Sequence, residues 1–294
     1  MGIVGGSGLY EMEAMKDTHE MSIATPFGKP SSPIVVGRLE GQNVAFLARH
    51  GRGHTLLPSE VNYRANIYAL KTLGVEYLLS ICAVGSMQPH IMPGHIVIPD
   101  QFYDLTQGRK STFFGKGFVA HISLADPICT PLAEVAAEAA AVVGATVHRG
   151  GTYLCTEGPQ FATRAESRGY RASGTGGLAV IGMTGATEAK LAREAEICYA
   201  SVAMATDYDS WHTTESAVTV EQVLGVLRKN VALSKLLIQA AITRLPNVRS
   251  CPCKEALRDA CVTRPEHVPA QTKKDLAPLI GKYMSAHKPQ RREK

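Results

Sequence analysis

The sequence predicts an α/β protein with a mixed, mostly parallel, twisted central sheet flanked by helices. Short apolar runs typical of buried strands alternate with longer segments of helical spacing. Four of the apolar runs end in polar residues, as strands do where ligands bind at a sheet edge. The composition, 45% hydrophobic and 19% charged over 294 residues, is that of a packed globular chain rather than a disordered one.

The first two of these strands lead into a glycine turn and an arginine-histidine pair. Ile3-Val4 runs into Gly5-Gly6-Ser7-Gly8, although only residues 1–4 precede the turn, where a strand usually has about five residues. Residues 44–48 are continuously apolar and run into Arg49-His50, and the stretch 37–43 before them predicts a hairpin.

Two later strands end in hydroxyl and carboxylate groups. Val180-Ile181 runs into Gly182-Met183-Thr184, and residues 202–205 run into Thr206-Asp207-Tyr208-Asp209. Ligands of open α/β sheets collect outside the carboxyl ends of the strands. The four strand ends therefore predict one pocket with an anion-binding end and an acidic end.

Helical spacing marks the segments between the strands. The positions that carry it are Asn66, Ala69, Leu70 and Leu73, the alanine-rich residues 133–143 before Gly144, and Leu191, Ala195 and Cys198. Thr219 and Gln222 form a capping box for a further helix, whose apolar stripe is Val220, Val223, Leu224, Leu227 and Val231. Prolines and charges increase after residue 246. We expect a single domain over 1–294, with a core of 1–245 and an appendage of 246–294 that contains one or two short helices.

Charge and hydropathy exclude several classes of protein. The net charge of +5 is modest and falls partly on Lys288, Arg291, Arg292 and Lys294, without the interleaved aromatic residues of a nucleic-acid surface. No apolar run approaches the roughly 18 residues of a membrane span. The chain starts on strand-like sequence without a leader pattern. We expect a cytoplasmic protein that binds neither nucleic acid nor membrane.

The seven cysteines fit a reducing compartment, since most of them stand in apolar surroundings. Cys251-Pro252-Cys253 with Cys261 is less ordinary. A metal would need a fourth ligand, and His267, the sequence-near candidate, stands at a spacing of no standard site. The alternatives are a local disulfide and, as we favour, packed thiols.

The anion-binding end is predicted from two strand ends in particular. The glycine turn offers backbone N–H groups and the Ser7 hydroxyl, but it matches neither the P-loop nor the dinucleotide fingerprint. The fork of Arg49 matches phosphate oxygens, and its burial without an anion would be costly. The alternative for Arg49 is a structural ion pair. Thr184 would complete the shell around the anion.

Asp207 and Asp209 predict the acidic end. Two residues apart, they face the same side of an extended chain, and nearby carboxylates raise each other's pKa. A carboxyl that keeps its proton near neutrality is a general acid for an aromatic ring nitrogen. A turn or a metal site is the alternative, and the metal lacks further hard ligands nearby in sequence.

A series of motifs in order along residues 1–245 resembles the trimeric purine nucleoside phosphorylase family, and within it the members that cleave 5'-methylthioadenosine. The motifs are Gly5-Gly6-Ser7-Gly8-Leu9, Thr25-Pro26-Phe27-Gly28, Leu47-Ala48-Arg49-His50-Gly51, Val61-Asn62-Tyr63-Arg64-Ala65-Asn66, Gly150-Gly151-Thr152-Tyr153, Thr156-Glu157-Gly158-Pro159, Arg164-Ala165-Glu166-Ser167 and Ala205-Thr206-Asp207-Tyr208-Asp209. The resemblance implies a distorted, barrel-like sheet and a homotrimer. It also implies a reaction of phosphate with 5'-methylthioadenosine, which yields adenine and 5-methylthioribose 1-phosphate without a metal or organic cofactor.

The resemblance also implies roles for individual residues. The phosphate-binding positions are Ser7, Arg49, His50, Cys82, Ala83 (through its N–H) and Thr184. Met183 would lie against the ribose, Phe161 would stack on the base, and Asp207 and Asp209 would bind N7 and the 6-amino group. At the 5' end, His121 would come from a neighbouring subunit, with Val220 and Val223 as an apolar wall and His54 as a further contact. Core packing is the alternative for both valines, and a place in a loop is the alternative for His54.

Two positions in the sequence predict which purine the site binds. Members of the family that cleave 6-oxopurine nucleosides carry Asn where Asp207 stands and Glu where Ala162 stands, so this chain has neither feature. A site built for one hydrogen-bond pattern rejects the reversed pattern.

Four positions depart from the family pattern. Ser7 replaces the usual Thr, and Cys82 replaces a residue with a hydroxyl group. Ala162 replaces a serine. Gly182 replaces an asparagine, as in the oxopurine branch. We therefore expect fewer hydroxyls around the phosphate and a weaker affinity for it. The alternatives to an adenine-specific phosphorylase are a 6-oxopurine phosphorylase (methylthioinosine, inosine, guanosine), a hydrolytic nucleosidase and a catalytically silent nucleoside-binding protein.

Overall fold

The computed structural model describes residues 1–6, 12–173, 177–212 and 220–284, without the side chains of 222–224 and 227–229. Within these residues, eleven strands form one mixed sheet. They are β1 (Gly2–Gly5), β2 (Lys16–Met21), β3 (Ile34–Leu39), β4 (Gln42–Ala48), β5 (Tyr77–Ser86), β6 (Ile96–Ile98), β7 (Gln101–Asp104), β8 (Val147–Arg149), β9 (Thr152–Cys155), β10 (Leu178–Gly182) and β11 (Cys198–Asp207).

The helices of the described residues pack around this sheet. They are α1 (Tyr63–Thr72), α2 (Thr130–Val142), α3 (Arg164–Ala172), α4 (Gly185–Glu194), α5 (Val220–Ile242), α6 (Ala270–Asp275) and α7 (Ala277–Met284). Among the residues described here, no helix is both long and apolar enough to cross a bilayer. The predicted α/β class, with a mostly parallel sheet flanked by helices, is confirmed.

The ten-residue strand β5 is the point at which the sheet branches. The parallel strand β1 pairs with its first half, over Leu78–Ile81, and the antiparallel strand β10 pairs with Gly85 and Ser86. The parallel strand β11 pairs along nearly the whole of β5. One branch continues through β10, β9 and β7, and the other through β11, β6 and β8. The sheet is therefore not a single linear series of strands.

Local sequence accounts for several boundaries. The short strand β1 is stable because it is buried and pairs with both β4 and β5. Asn62 caps α1 by accepting a hydrogen bond from the Ala65 N–H. Gly144, at φ +82°, ends the alanine-rich α2, because glycine adopts the left-handed conformation without a Cβ penalty. The hairpin predicted over residues 37–43 is formed by β3 and β4.

One predicted helix ends earlier than its spacing indicates. Ala195 is the C-cap of α4, and Glu196, at φ +56°, turns the chain into β11, which begins at Cys198. Cys198 is therefore a strand residue, and its helical spacing from Leu191 was misleading because both elements are apolar on their buried faces. Thr219 of the predicted capping box lies outside the described residues.

The C-terminal segment packs into the main core. It contains two 3₁₀ turns, Pro252–Glu255 and Pro265–His267, followed by α6 and α7. Leu257, Leu279 and Ile280 are buried in the same cluster as the β-sheet residues. Burial of these apolar side chains stabilises the packing of the segment against the body of the protein.

Candidate active site

One cavity gathers most of the residues that the sequence assigns to a site. It occupies about 1070 Å³, including the part open to solvent. The expected residues that line it are Arg49, His50, His54, Cys82, Ala83, Phe161, Met183, Thr184, Asp207 and Asp209. The anion-binding end and the acidic end that the strand endings predict therefore face a single space.

The strands reach this cavity in an orientation that the sequence did not predict. The parallel strands β1, β4 and β11 deliver Gly6, Arg49 and Asp207 from their carboxyl ends. The strand β10 is antiparallel to β5, yet Met183 and Thr184, which follow it, also line the cavity. Its end reaches this space because β10 pairs only with the last two residues of β5.

Two expected residues of the described part do not line the cavity of the single chain. His121 is exposed, and Val220 is 64% exposed in the first turn of α5, so neither lines the cavity. Val220 does not pack in the core either, which removes that alternative for it. Ser7 and the side chain of Val223 lie outside the described part of the chain.

Arg49 takes part in a buried ion pair. Its side chain donates from Nε and Nη2 to the Glu188 carboxylate, and from Nη2 to the Ser80 hydroxyl at 2.6 Å. Its Nη1 donates to the Ile81 carbonyl at 3.1 Å. Arg49 is 1% exposed, so the structural ion pair considered for it is present. A second N–H of Nη1 has no partner among the described residues, and Arg49 also lines the cavity.

Glu188 is the counter-charge that the sequence analysis did not identify. It lies in the first turn of α4 and also accepts hydrogen bonds from Ser80 at 2.6 Å and Tyr199 at 3.2 Å. A buried arginine at a strand end needs such a partner. The sequence could have indicated this partner, because Glu188 stands four residues after Thr184 and therefore on the same helical face as that site residue.

His50 is held as a neutral imidazole. Its Nδ1 lies 2.9 Å from the Leu56 carbonyl oxygen, so Nδ1 carries the proton and Nε2 is left as an acceptor. Burial and the positive charge of Arg49 lower the pKa of His50 to about 4. Its ring stacks on that of His54, with centroids 4.4 Å apart. Near pH 7, His50 can accept a hydrogen bond from an O–H group of a bound anion.

Thr184 and Met183 stand where β10 meets α4. Thr184 is the N-cap residue of α4, and its side chain makes no capping hydrogen bond. Arg109, which the sequence analysis did not single out, donates to the Met183 carbonyl at 3.0 Å and to the Tyr63 hydroxyl at 2.9 Å. It is fixed in turn by Glu157. These contacts set the position of the chain that carries Thr184.

Asp207 ends β11 with its carboxylate held by two donors. The Thr206 hydroxyl donates to Oδ2 at 2.7 Å, and the Asp209 N–H donates to Oδ1 at 2.8 Å. Burial raises the pKa of Asp207 above its ordinary value, against the effect of these hydrogen bonds. The charge of Asp209 contributes less than burial does, so mutual repulsion is not the main cause.

Asp209 reaches the cavity from a 3₁₀ turn rather than from an extended strand. Its φ of +51° turns the chain, so the period-two argument for a shared face does not apply. The Ser167 hydroxyl of α3 donates to its Oδ2. Burial raises the pKa of Asp209, and the hydrogen bond from Ser167 opposes the rise. The pKa values of Asp207 and Asp209 are therefore both raised mainly by burial in the folded protein.

A tyrosine accounts for the glycine at position 182. A Cβ built on Gly182 would lie 2.1 Å from the hydroxyl of Tyr153, a fully buried residue. Any larger residue there collides with this ring, so Tyr153 occupies the space of a side chain at position 182. Cys82 is also buried, with its Sγ 3.5 Å from the Ser201 hydroxyl.

Together the fold and the cavity define an α/β enzyme with a small-molecule site between a cationic wall and an acidic wall. Buried titratable groups with shifted pKa values that converge on one concave space are the usual mark of an active site.

The comparisons with known proteins agree with this class. The chain belongs to the phosphorylase superfamily, whose family model matches residues 1–243. It is 54% identical over 285 residues to the S-methyl-5'-thioadenosine phosphorylase of Geobacter sulfurreducens, covering 97% of this chain and 99% of that one. The corresponding protein of Koribacter versatilis is 52% identical over 98% of both chains. The family resemblance read from the motifs is confirmed.

Two solved structures are also similar. A methylthioadenosine phosphorylase from an Antarctic soil metagenomic library matches with a TM-score of 0.88 and 48% identity, covering 95% of this chain and 97% of that one. The methylthioadenosine phosphorylase of Schistosoma mansoni in complex with adenine matches with a TM-score of 0.81 and 36% identity, over 87% and 95% of the two chains. The nucleoside phosphorylase-like fold is thereby confirmed.

Proposed function

We propose that this chain catalyses the phosphorolysis of 5'-methylthioadenosine to adenine and 5-methylthioribose 1-phosphate. The enzyme is a pentosyltransferase of purine and methionine salvage. The observation that carries the proposal is that Arg49, His50 and Thr184 line the same cavity as Asp207 and Asp209. An anion and a purine bound at these two walls would share one cavity.

At the anion-binding end, phosphate would receive hydrogen bonds from several groups. The free N–H of Arg49, the hydroxyl and N–H of Thr184, the N–H of Ala83 and the Ser7 hydroxyl are the donors. His50 would accept from the remaining P–OH group through Nε2, because Nδ1 is engaged by Leu56. The buried charge of Arg49 holds the anion, and Glu188 keeps that charge tolerable when the site is empty of substrate.

At the acidic end, Asp207 would donate its proton to N7 and Asp209 would accept from the 6-amino group. The raised pKa of Asp207 supports this role, since it keeps the carboxyl protonated to a higher pH than an exposed aspartate. Phe161 would stack on the base and Met183 would pack under the ribose, since both line the cavity.

The reaction then follows from charge. As the bond between C1' and N9 breaks, its electron pair moves into the purine, where the proton from Asp207 neutralises it. Positive charge grows on the ribose, and the phosphate beneath the ring stabilises it before an oxygen of that phosphate bonds to C1'. Alignment of the two reactants supplies a further part of the rate enhancement. No metal or organic cofactor takes part in these steps.

We further propose a homotrimer that acts in the cytoplasm. The seven cysteines form no disulfide in this structure, which supports the location. The exposure of His121, next to Val119 at 44% exposure, supports the contact of this segment with a neighbouring subunit. There His121 would approach the 5' group, with Val220, Val223 and His54 as further contacts.

The direct test is a product assay with 5'-methylthioadenosine in the presence and absence of phosphate. We expect adenine only when phosphate is present, together with an equal amount of 5-methylthioribose 1-phosphate. Adenine release without phosphate would instead establish a hydrolytic nucleosidase. Faster cleavage of methylthioinosine would establish a 6-oxopurine phosphorylase, and binding without turnover would indicate a silent nucleoside-binding protein.

Replacing His121 with alanine tests the shared site. We expect KM for 5'-methylthioadenosine to rise about 2- to 12-fold with kcat little changed, which corresponds to the loss of one contact worth about 0.5–1.5 kcal/mol. His267→Ala is the matched control, because His267 is also exposed but belongs to no proposed site. An equal KM for both variants and the unmodified protein would exclude His121 from the site.

A further inference from the structure

Four cysteine thiols from three distant parts of the chain meet in the interior. Cys129 is the N-cap of α2, Cys198 begins β11, and Cys251 and Cys253 flank Pro252 at the first 3₁₀ turn of the C-terminal segment. Their Sγ atoms all lie within 4.8 Å of one another, and each residue is at most 7% exposed. None of them lines the active-site cavity.

For this motif the sequence analysis favoured packed thiols, because it found no suitable fourth metal ligand nearby in the sequence. Cys261 and His267, the sequence-near candidates for further ligands, are not members of the cluster, and the missing ligands come from the body of the protein instead. The spacing of the cysteines in the sequence does not show that Cys129 and Cys198 lie close to the Cys251-Pro252-Cys253 motif.

We propose that these four thiols bind one Zn²⁺ as a structural tetrathiolate site. Tetrahedral zinc with Zn–S bonds of about 2.3 Å places its sulfur ligands about 3.8 Å apart. The pairwise limit of 4.8 Å, with Cys198 and Cys251 Sγ at 3.2 Å, needs only small side-chain movements to reach that geometry. Four sulfur ligands in a tetrahedron are the donor set typical of zinc or iron–sulfur centres.

One of the four ligands stands at a helix terminus. The Cys129 side chain lies at the N-terminus of α2, where unpaired backbone N–H groups stabilise negative charge. A divalent cation offsets the charge of the thiolates, and the four thiol protons are released to solvent as it binds.

The site would fasten the C-terminal segment to the sheet. Two ligands belong to that segment and two to the body. The same segment also pairs with residues 119–121, through the His121 N–H to the Ala260 carbonyl and the Val119 N–H to the Thr263 hydroxyl, both at 2.9 Å. Removal of the metal should therefore loosen the segment and residues 119–121 together.

The test is elemental analysis of the full-length protein purified without chelator. We expect about one zinc per chain, which is lost in Cys253→Ser and retained in Cys261→Ser. Cys261 is the matched control because it lies in the same segment and donates only to the Leu257 carbonyl. We also expect a lower unfolding temperature after removal of zinc by a chelator, and recovery when ZnCl₂ is added back.

Two further measurements decide the matter if Cys253→Ser does not fold. In the unmodified protein, denatured with chelator and without reductant, we expect all seven thiols to react with a thiol reagent. Five or fewer reactive thiols would show that the cluster forms disulfides and would overturn the proposal. X-ray absorption should show zinc with sulfur ligands at about 2.3 Å. Iron in place of zinc, or no zinc bound to the unmodified protein, would also overturn it.

Discussion

Replacing Asp207 with asparagine should lower kcat/KM for 5'-methylthioadenosine by at least tenfold. The amide keeps the shape of the carboxyl but has one acceptor oxygen where the carboxyl has two, and it has no acidic proton to give to N7. Proton transfer by a positioned acid contributes typically about 10²–10⁴-fold to a rate, so tenfold is a lower bound. The same amide donates to an oxygen acceptor, and we expect cleavage of inosine-type nucleosides to rise relative to that of adenine nucleosides.

The pH dependence of this variant separates acid catalysis from simple binding. An acid acts only while protonated, so the activity of the unmodified enzyme should fall as pH rises through the pKa of Asp207, which burial raises. That limb of the kcat profile should disappear in Asp207→Asn. Asp259→Asn is the control, since Asp259 is an exposed carboxyl in the C-terminal segment. Unchanged kinetics in Asp207→Asn would refute the assigned role.

The second large effect is expected on stability, from Glu188→Gln. This change removes the negative charge but keeps the volume, and it leaves the Arg49 guanidinium buried without a counter-charge. Breaking a buried ion pair in this way costs about 3–5 kcal/mol. Chemical denaturation followed by circular dichroism should show a loss of that size in the free energy of unfolding.

The control for this prediction is a matched pair on the surface. Glu134 pairs with Arg149, and both side chains are more than half exposed, so Glu134→Gln should change the free energy of unfolding by less than about 1 kcal/mol. Equal effects of Glu188→Gln and Glu134→Gln would contradict the role assigned to the buried pair.

A double substitution separates the structural use of Arg49 from its catalytic use. In Arg49→Met with Glu188→Met, both charges leave together, and apolar replacements of a buried pair are often neutral in stability. We expect the double variant to recover most of the stability that is lost in Glu188→Gln. We also expect its KM for phosphate to be higher than that of the unmodified protein. A normal KM for phosphate in this variant would mean that Arg49 serves the fold alone.

Several residues that line the cavity could be predicted from the sequence because they follow strands directly. Arg49-His50, Met183-Thr184 and Asp207 each stand within three residues of a buried apolar run. Polar residues at such positions lie at an edge of an α/β sheet, where ligands bind. The helices α1 and α2 were predictable for a similar reason, since their apolar spacing or alanine content acts locally.

What the chain's sequence determined by itself is thus the set of elements, the polar residues at their ends and the family to which they belong. Only the tertiary structure decided which groups meet: the pairing of Arg49 with Glu188, the reach of antiparallel β10 into the cavity, and the cluster of Cys129 and Cys198 with Cys251 and Cys253. The physical reason is the distance along the chain over which each kind of interaction acts. Helical and strand propensities act over a few residues, whereas burial, charge pairing and ligand geometry depend on contacts between segments that lie tens of residues apart.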